Sequence, residues 1–420
     1  INSVYSKNNV ELNHYYDADW SNQNQWQDDH PYPYDTYYSY SQTEDRYRND
    51  KSLEFRLSKS INLHELTFGI FNKSLEEKDN ANGFIFWTDG GWVSKFNSTY
   101  VIDYSSYYYQ HVYKLNTHTN IAFNYRLDTY KNDYKNNIET TDASQYPYNL
   151  TYLQDTLKFE EDFLSTRLGI KYYNFFISIS SNHKPGGFNQ NPYVNSNFRK
   201  YSPEETTSLE FGYRNNFETL SFDLNLFYMD RNNMQIDLAD QADPNNPVTF
   251  YFYTHNIKNG INKGLDFHIN YKLNKNTNFF FNIGLLKTSK DDFTYPSPII
   301  DPDPYIEKRE QSRAPKYTIN TGLESQITNR LFARLELLSK DKYYYFNNTN
   351  QMSSPYTLLN LNLRHQITDN LSLTFSIKNI TDERYGIHGF YFSVSGYEPR
   401  KFHESPADPR DISISFTLRF

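Results

Sequence analysis

Five residues close together near the end of the chain carry the side-chain types that hold anionic rings. Tyr391, Phe392 and Tyr397 supply flat π-faces, and Arg400 and Lys401 supply positive charge. Stacking faces beside guanidinium or ammonium groups suit an anionic or catecholate metal chelate. The same rings could instead pack one loop against another, and both readings stand at this point.

Other chemistry is sparse. Asp301 to Pro304 reads "DPDP" and, with Asp291 and Asp292, offers carboxylate oxygens of the kind calcium takes, although a solvated loop would read alike. The 11 histidines are dispersed, and a single one such as His268 reads as a solvated strand residue. Without cysteine there is no disulfide, thiolate nucleophile or thiolate metal site. No G-x-S-x-G, H-E-x-x-H or P-loop occurs, so the reading is of a chain that is not an enzyme and carries no cofactor or resident metal. Acidic and basic residues are interspersed at net charge -8, which gives no basic stripe for nucleic acid.

The elements that must position these residues are strands. In "SFDLNLFY" Phe222, Leu224, Leu226 and Tyr228 alternate with Ser221, Asp223 and Asn225, and in "GLDFHINYKL" Leu265, Phe267, Ile269, Tyr271 and Leu273 alternate with Asp266, His268, Asn270 and Lys272. "LSLTFSIKN" repeats the pattern, as does the terminal "DISISFTLRF", in which Ile412, Ile414, Phe416, Leu418 and Phe420 hold every second place. A two-residue period means one apolar and one polar face. The spacing predicts about sixteen strands, at 10–20, 49–59, 64–78, 99–114, 119–132, 162–172, 174–184, 204–214, 217–238, 254–273, 276–288, 314–325, 329–341, 355–366, 370–381 and 410–420.

Tight turns at "RNN" (214–216), "NKN" (274–276), "ITN" (327–329) and "TDN" (368–370) alternate with long segments at 21–48, 79–98, 133–161, 185–203, 289–313 and 382–409. That rhythm belongs to an all-β, up-and-down antiparallel transmembrane β-barrel. With 37% hydrophobic residues, 40 Tyr and 32 Phe, half of each strand is expected to face a wet interior and the other half lipid, with aromatics at the interfaces. No cut suggests a second domain, so residues 1–420 read as one barrel.

Four stretches are similar to the TonB-dependent outer-membrane receptors, of the iron-complex or siderophore type. "SSNHKPGGFN" (180–189) resembles the strand-end "GYKPGGFN" pattern; "YSPEETTSLEFGYR" (201–214) is followed by "LNLFYMDRNNMQI" (224–236); "NIKNGINKGLDF" (256–267) resembles "N.G....GLE", with Asp266 where Glu is usual; and "NITDERY" (379–385) resembles "NLFDKRY". Their order and spacing cover approximately residues 50 to 420. In the first, Pro185, Gly186 and Gly187 suit the end of a strand, and a ligand role would place Lys184 and Phe188 near an entrance. Phe420, with Phe416 and Leu418, resembles the C-terminal signal read by barrel-assembly machinery.

The resemblance implies a receptor of the Gram-negative outer membrane, a monomer set in lipid and lipopolysaccharide. Its ligand would be a ferric siderophore, bound through Lys184, Phe188, Tyr391, Phe392, Tyr397 and Arg400, and its energy would come from a TonB-ExbB-ExbD complex. Such receptors have a plug and 22 strands, so the chain is expected to be the C-terminal part of a receptor barrel, lacking the plug and roughly six strands, with a gap or a narrower closure between strands 10–20 and 410–420. The alternative is a passive sixteen-stranded porin.

Overall fold

A computed structural model describes residues 1–17, 39–87, 90–142, 149–190, 194, 196–241, 250–295, 304–392 and 401–419. Its strands are β1 (Asn2–Asp17), β2 (Ser39–Ile61), β3 (His64–Trp87), β4 (Gly90–Lys114), β5 (Thr119–Asp142), β6 (Asn149–Tyr172), β7 (Phe175–Lys184), β8 (Gly187–Phe188), β9 (Lys200–Tyr201), β10 (Glu204–Asn216), β11 (Leu220–Gln241), β12 (Phe250–Lys272), β13 (Thr277–Lys290), β14 (Phe293–Thr294), β15 (Tyr305–Ile306), β16 (Tyr317–Thr328), β17 (Leu331–Lys340), β18 (Tyr356–Gln366), β19 (Leu371–Lys378), β20 (Gly386–Phe392), β21 (Lys401–Pro406) and β22 (Asp411–Leu418). Sixteen of them form an antiparallel sheet in the order β1-β2-β3-β4-β5-β6-β7-β10-β11-β12-β13-β16-β17-β18-β19-β22. Short ribbons β14-β15 and β20-β21 lie in the long connections.

The chain forms two compact units, Ile1–Val112 with Asn124–Thr166 and Pro185–Pro192, and Tyr113–Phe123 with Arg167–Lys184 and Tyr193–Phe420. In the second, the register sets apolar residues in rows. One row runs Ile177, Phe211, Leu226, Leu265 and Leu285, and another runs Tyr271, Phe279, Leu323, Leu335, Leu361, Ile377 and Ile412. Residues opposite one another share a face, so these rows make a continuous apolar surface. Above it comes the row Ile179, Leu209, Tyr228, Lys263 and Lys287, where charge ends the band. The alternate rows are polar: Arg214, Asp223, His268, Asn282 and Asn320 lie side by side on the other face.

Aromatics on that polar face sit on glycine. Phe176 faces Gly212, Phe227 faces Gly264 and Phe280 faces Gly322 across neighbouring strands. The ring covers the space a side chain would need, since a Cβ on Gly264 would meet Phe227 at 2.7 Å. Glycine here trades strand propensity for a ring laid flat against backbone.

In the first unit the apolar face carries Leu53, Phe55 and Leu57 on β2 and Phe68 and Ile70 on β3, all exposed, with Leu57 opposite Phe68 and Phe55 opposite Ile70. The first and last strands end the strand order. Both are exposed along the whole described length, so Ile412, Ile414, Phe416 and Leu418 of β22 are bare apolar side chains.

All sixteen expected strands occur, yet several extend further than their alternation suggested. Residues 79–87, 90–98, 133–142 and 149–161 read as loop but are strand. Residues 39–48, also read as loop, belong to β2. Arg214 to Asn216, read as a turn, close β10, and the turn falls at 217–219. Apart from the turn residues, these stretches lie beyond the apolar band, where no alternation of hydropathy is required.

Candidate functional site

At the long-connection end of the second unit, two polar rows enclose a cavity of about 450 Å³. Asp266, Gly284, Thr318, Lys340 and Tyr356 make one row, and His268, Asn282, Asn320 and Leu338 make the next. Tyr385 closes the pocket from outside the sheet, its ring stacked on Tyr356 with centroids 3.9 Å apart. His268 donates from Nδ1 to Asn282 Oδ1 at 2.9 Å. A carboxylate, an ammonium and two stacked phenols thus line one concavity, a set able to take polar and aromatic groups together.

The "NITDERY" stretch delivers Tyr385 here. Asn379 and Asp382 both adopt φ near 52–53°, a left-handed conformation that Asn and Asp tolerate best among residues with a side chain. Asn379 is buried and folds on itself: its Oδ1 accepts Glu383 N–H at 2.9 Å and its Nδ2 donates to the Glu383 carbonyl at 3.0 Å. Asp382 Oδ1 accepts Arg410 N–H at 2.9 Å. The motif is a rigid corner.

Beyond the apolar band, strands and connections are bolted together. Arg231 holds Glu204 by two parallel bonds of 2.6 and 2.8 Å, while Glu204 also accepts the Gln235 N–H at 2.7 Å. Arg231 Nη1 donates to Gln311 at 3.1 Å, and Gln311 in turn donates to Asn262 and to the Ser289 carbonyl. Arg309 donates to the carbonyls of Asn347 and Thr349 and stacks over Tyr344 at 4.2 Å. Asn347 and Asn348 donate to the carbonyls of Asp237 and Ala239. Val194, Ile236, Leu238, Tyr253, Phe293 and Ile306 pack as part of one apolar core.

Lys290 stands out in this layer. It is the last residue of β13, three positions past Lys287 where the apolar band ends, and is 1% exposed with Nζ finding no hydrogen-bond acceptor. Its ammonium lies 4.2 Å from the Phe293 ring centroid. Burial, with help from the Arg309 charge, pulls it down to about 7.

The residues expected to bind ligand are placed as follows. Lys184 ends β7 exposed, whereas Phe188 is buried in the first unit. Tyr391 stands on β20 with its ring against Phe402 at 5.3 Å, and its hydroxyl accepts Gln351 Nε2 at 2.8 Å. Phe392 belongs to the same strand, but its side chain lies outside what is described, as do Tyr397, Arg400, Phe420 and the Asp301–Asp303 part of "DPDP". Asp291 is taken by Lys308 at 3.0 Å and by Asn259, and Asp292 accepts the Tyr305 hydroxyl. Among the described residues no group of three or more metal-ligating side chains forms. Lys340 and Tyr356, absent from the expected set, sit at the ends of apolar-patterned strands just where each leaves the band, and that position was their one signal.

Residues 2–380 match the family model described as TonB dependent receptor-like, beta-barrel. The fold is similar to the ferric yersiniabactin uptake receptor FyuA from Yersinia pestis, at TM-score 0.68 and 15% identity over 92% of this chain and 55% of that one. It is also similar to the ferric-catecholate import receptor Fiu from K12 E. coli in its closed form, at TM-score 0.56 and 10% identity over 100% of this chain and 64% of that one. A copper transporter, OprC, matches at TM-score 0.54 and 13% identity over 100% of this chain and 72% of that one. This chain thus spans between about half and two thirds of the length of the first two. The family consists of transport receptors rather than enzymes. The chain belongs to the TonB-dependent receptor-like β-barrel family, proteins of the Gram-negative outer membrane.

Proposed function

We propose that this chain is barrel from a receptor that imports a ferric siderophore or similar iron complex, driven by TonB-ExbB-ExbD. The observation that carries the reading is the cavity in which Asp266, His268, Lys340, Tyr356 and Tyr385 line the polar face directly below the bolted connections. Phenol rings can stack on an aromatic chelate while Lys340 offers positive charge. The named ligands of two similar structures, ferric yersiniabactin and ferric catecholate, are in keeping with it. The residues provide recognition and passage, and the protein makes or breaks no bond.

The test is direct binding of ferric chelates to the full-length protein, with tryptophan quenching as readout. Saturable binding of one chelate class, with uptake abolished when TonB is absent, is the expected outcome. Binding of cobalamin or a glycan and of no iron chelate would overturn the substrate. A passive porin is the second reading, favoured by the sixteen-stranded sheet. It requires steady conductance in planar bilayers and uptake indifferent to TonB.

A further inference from the structure

The first unit holds an unusual pair on its apolar face. His64 opens β3 directly after the turn at Asn62 and Leu63, opposite Ile61, and His111 lies near the corresponding end of β4. His64 Nδ1 and His111 Nε2 are 2.9 Å apart, with the rings 5.1 Å between centroids and 27° from parallel. Both rings belong to a patch with Phe68 and Tyr109, whose own rings are 4.7 Å apart, and Tyr109 also approaches His111 at 6.3 Å.

Two imidazole nitrogens at this distance can be joined only by one hydrogen, so one ring donates and the other accepts. The same spacing fits a different occupant. Imidazole binds divalent transition ions at about 2.0–2.1 Å, so two nitrogens in adjacent positions of a square-planar or tetragonal ion sit about 2.9 Å apart, against about 3.3 Å for a tetrahedral one. Strand pairing fixes both backbones, which lowers the ordering cost of binding. His64 directly follows the exposed turn at Asn62 and Leu63, at the rim of the apolar face, where water can reach a bound ion.

We propose that His64 and His111 form a two-nitrogen site for a divalent transition ion that favours tetragonal geometry, Cu²⁺ above all. Copper heads the affinity order for nitrogen sites. On binding, the donor ring moves its shared proton to its other nitrogen. Both facing nitrogens then offer lone pairs to the metal, and two neutral rings release no net proton. The site is distinct from the polar-face cavity: it is on the apolar face, at the tight-turn end of its strands, and needs no transported ligand.

The experiment is copper titration of the full-length protein in detergent, read by electron paramagnetic resonance and calorimetry. The expected result is a tetragonal spectrum with splitting from two nitrogens, and an affinity that falls about ten- to a hundredfold in His64→Gln or His111→Gln, a scale seen even for outer-shell changes at metal sites. His118→Gln, where His118 stacks on Tyr173 at 4.1 Å, should leave the tight site intact. In the unmutated protein, Cu²⁺ should also shield both His64 and His111 from diethyl pyrocarbonate. Wild-type affinity in the double variant, a one-nitrogen spectrum, or no shielding would each overturn the assignment.

Discussion

Phe280 lies flat across Gly322 of the neighbouring strand, so closely that a Cβ on that glycine would fall 2.7 Å from the ring's Cζ and 2.2 Å from the Leu335 carbonyl oxygen. The Arg334 guanidinium lies over the same ring, 4.7 Å from its centroid, and is held there by Glu324 and Glu336. Glycine, ring and ion pair make a stack across three strands. Gly322→Val must push the ring off and crowd a carbonyl, and overpacking of this kind costs about 1–3 kcal/mol. Refolded samples should show a lower heat-modification midpoint on gels, whereas Leu323→Ile, one position away on the exposed apolar face, should stay near wild type.

The Arg231–Glu204 pair is buried, with side chains 16% and 5% exposed. Removing one partner strands the other charge, so Arg231→Met or Glu204→Leu should each cost about 3–5 kcal/mol. The double replacement by apolar residues should recover much of that loss. A double-mutant cycle of unfolding midpoints measures it, and simple addition of the two single losses would show that the pair does not act as a unit.

Lys290 gives a pH signature. Its folded-state value of about 7 lies below the ordinary 10.5, so between these limits the unfolded chain holds a proton that the folded chain lacks. Stability therefore falls as pH is lowered from about 10 towards 7 and levels off below, where both states are protonated. Lys290→Met should remove that slope. Urea midpoints at pH 9.5 and 7 for the two proteins, compared as differences, test it, and equal slopes would contradict it.

The strands were legible where the chain meets a sharp boundary between apolar and polar surroundings. Phe222 to Tyr228 and Leu265 to Tyr271 alternate because one side of each strand must be apolar. The upper part of β5 was not legible. There Asn132, Tyr134 and Asn136 are buried while their neighbours are exposed. Burial alternates, but hydropathy does not, because the inward residues are themselves polar and bond to neighbouring strands, as Asn132 Nδ2 does to the Tyr100 hydroxyl and Asp155 N–H to Asn136 Oδ1. Tyr385 was visible as part of a motif, yet its stacking on Tyr356 depends on the corner made by Asn379 and Asp382. The glycine beneath each phenylalanine of the polar face required register, which no single strand contains.

That corner supplies the remaining prediction. Tyr385 reaches the cavity because Asn379 closes on Glu383, and the two groups that meet there, Tyr356 and Lys340, are opposite one another in register. Tyr385→Ala removes a stacking face while leaving the strand pairing intact, and Lys340→Gln removes the positive charge while keeping the stem. Each should weaken chelate binding by the full-length receptor by about 1–2 kcal/mol, or roughly tenfold, with little change in unfolding midpoint. Asn379→Ala should do both, because it releases the corner as well as the ring. Equal binding by all three variants would mean that the ligand does not enter this cavity and that Tyr385 only braces the end of β18.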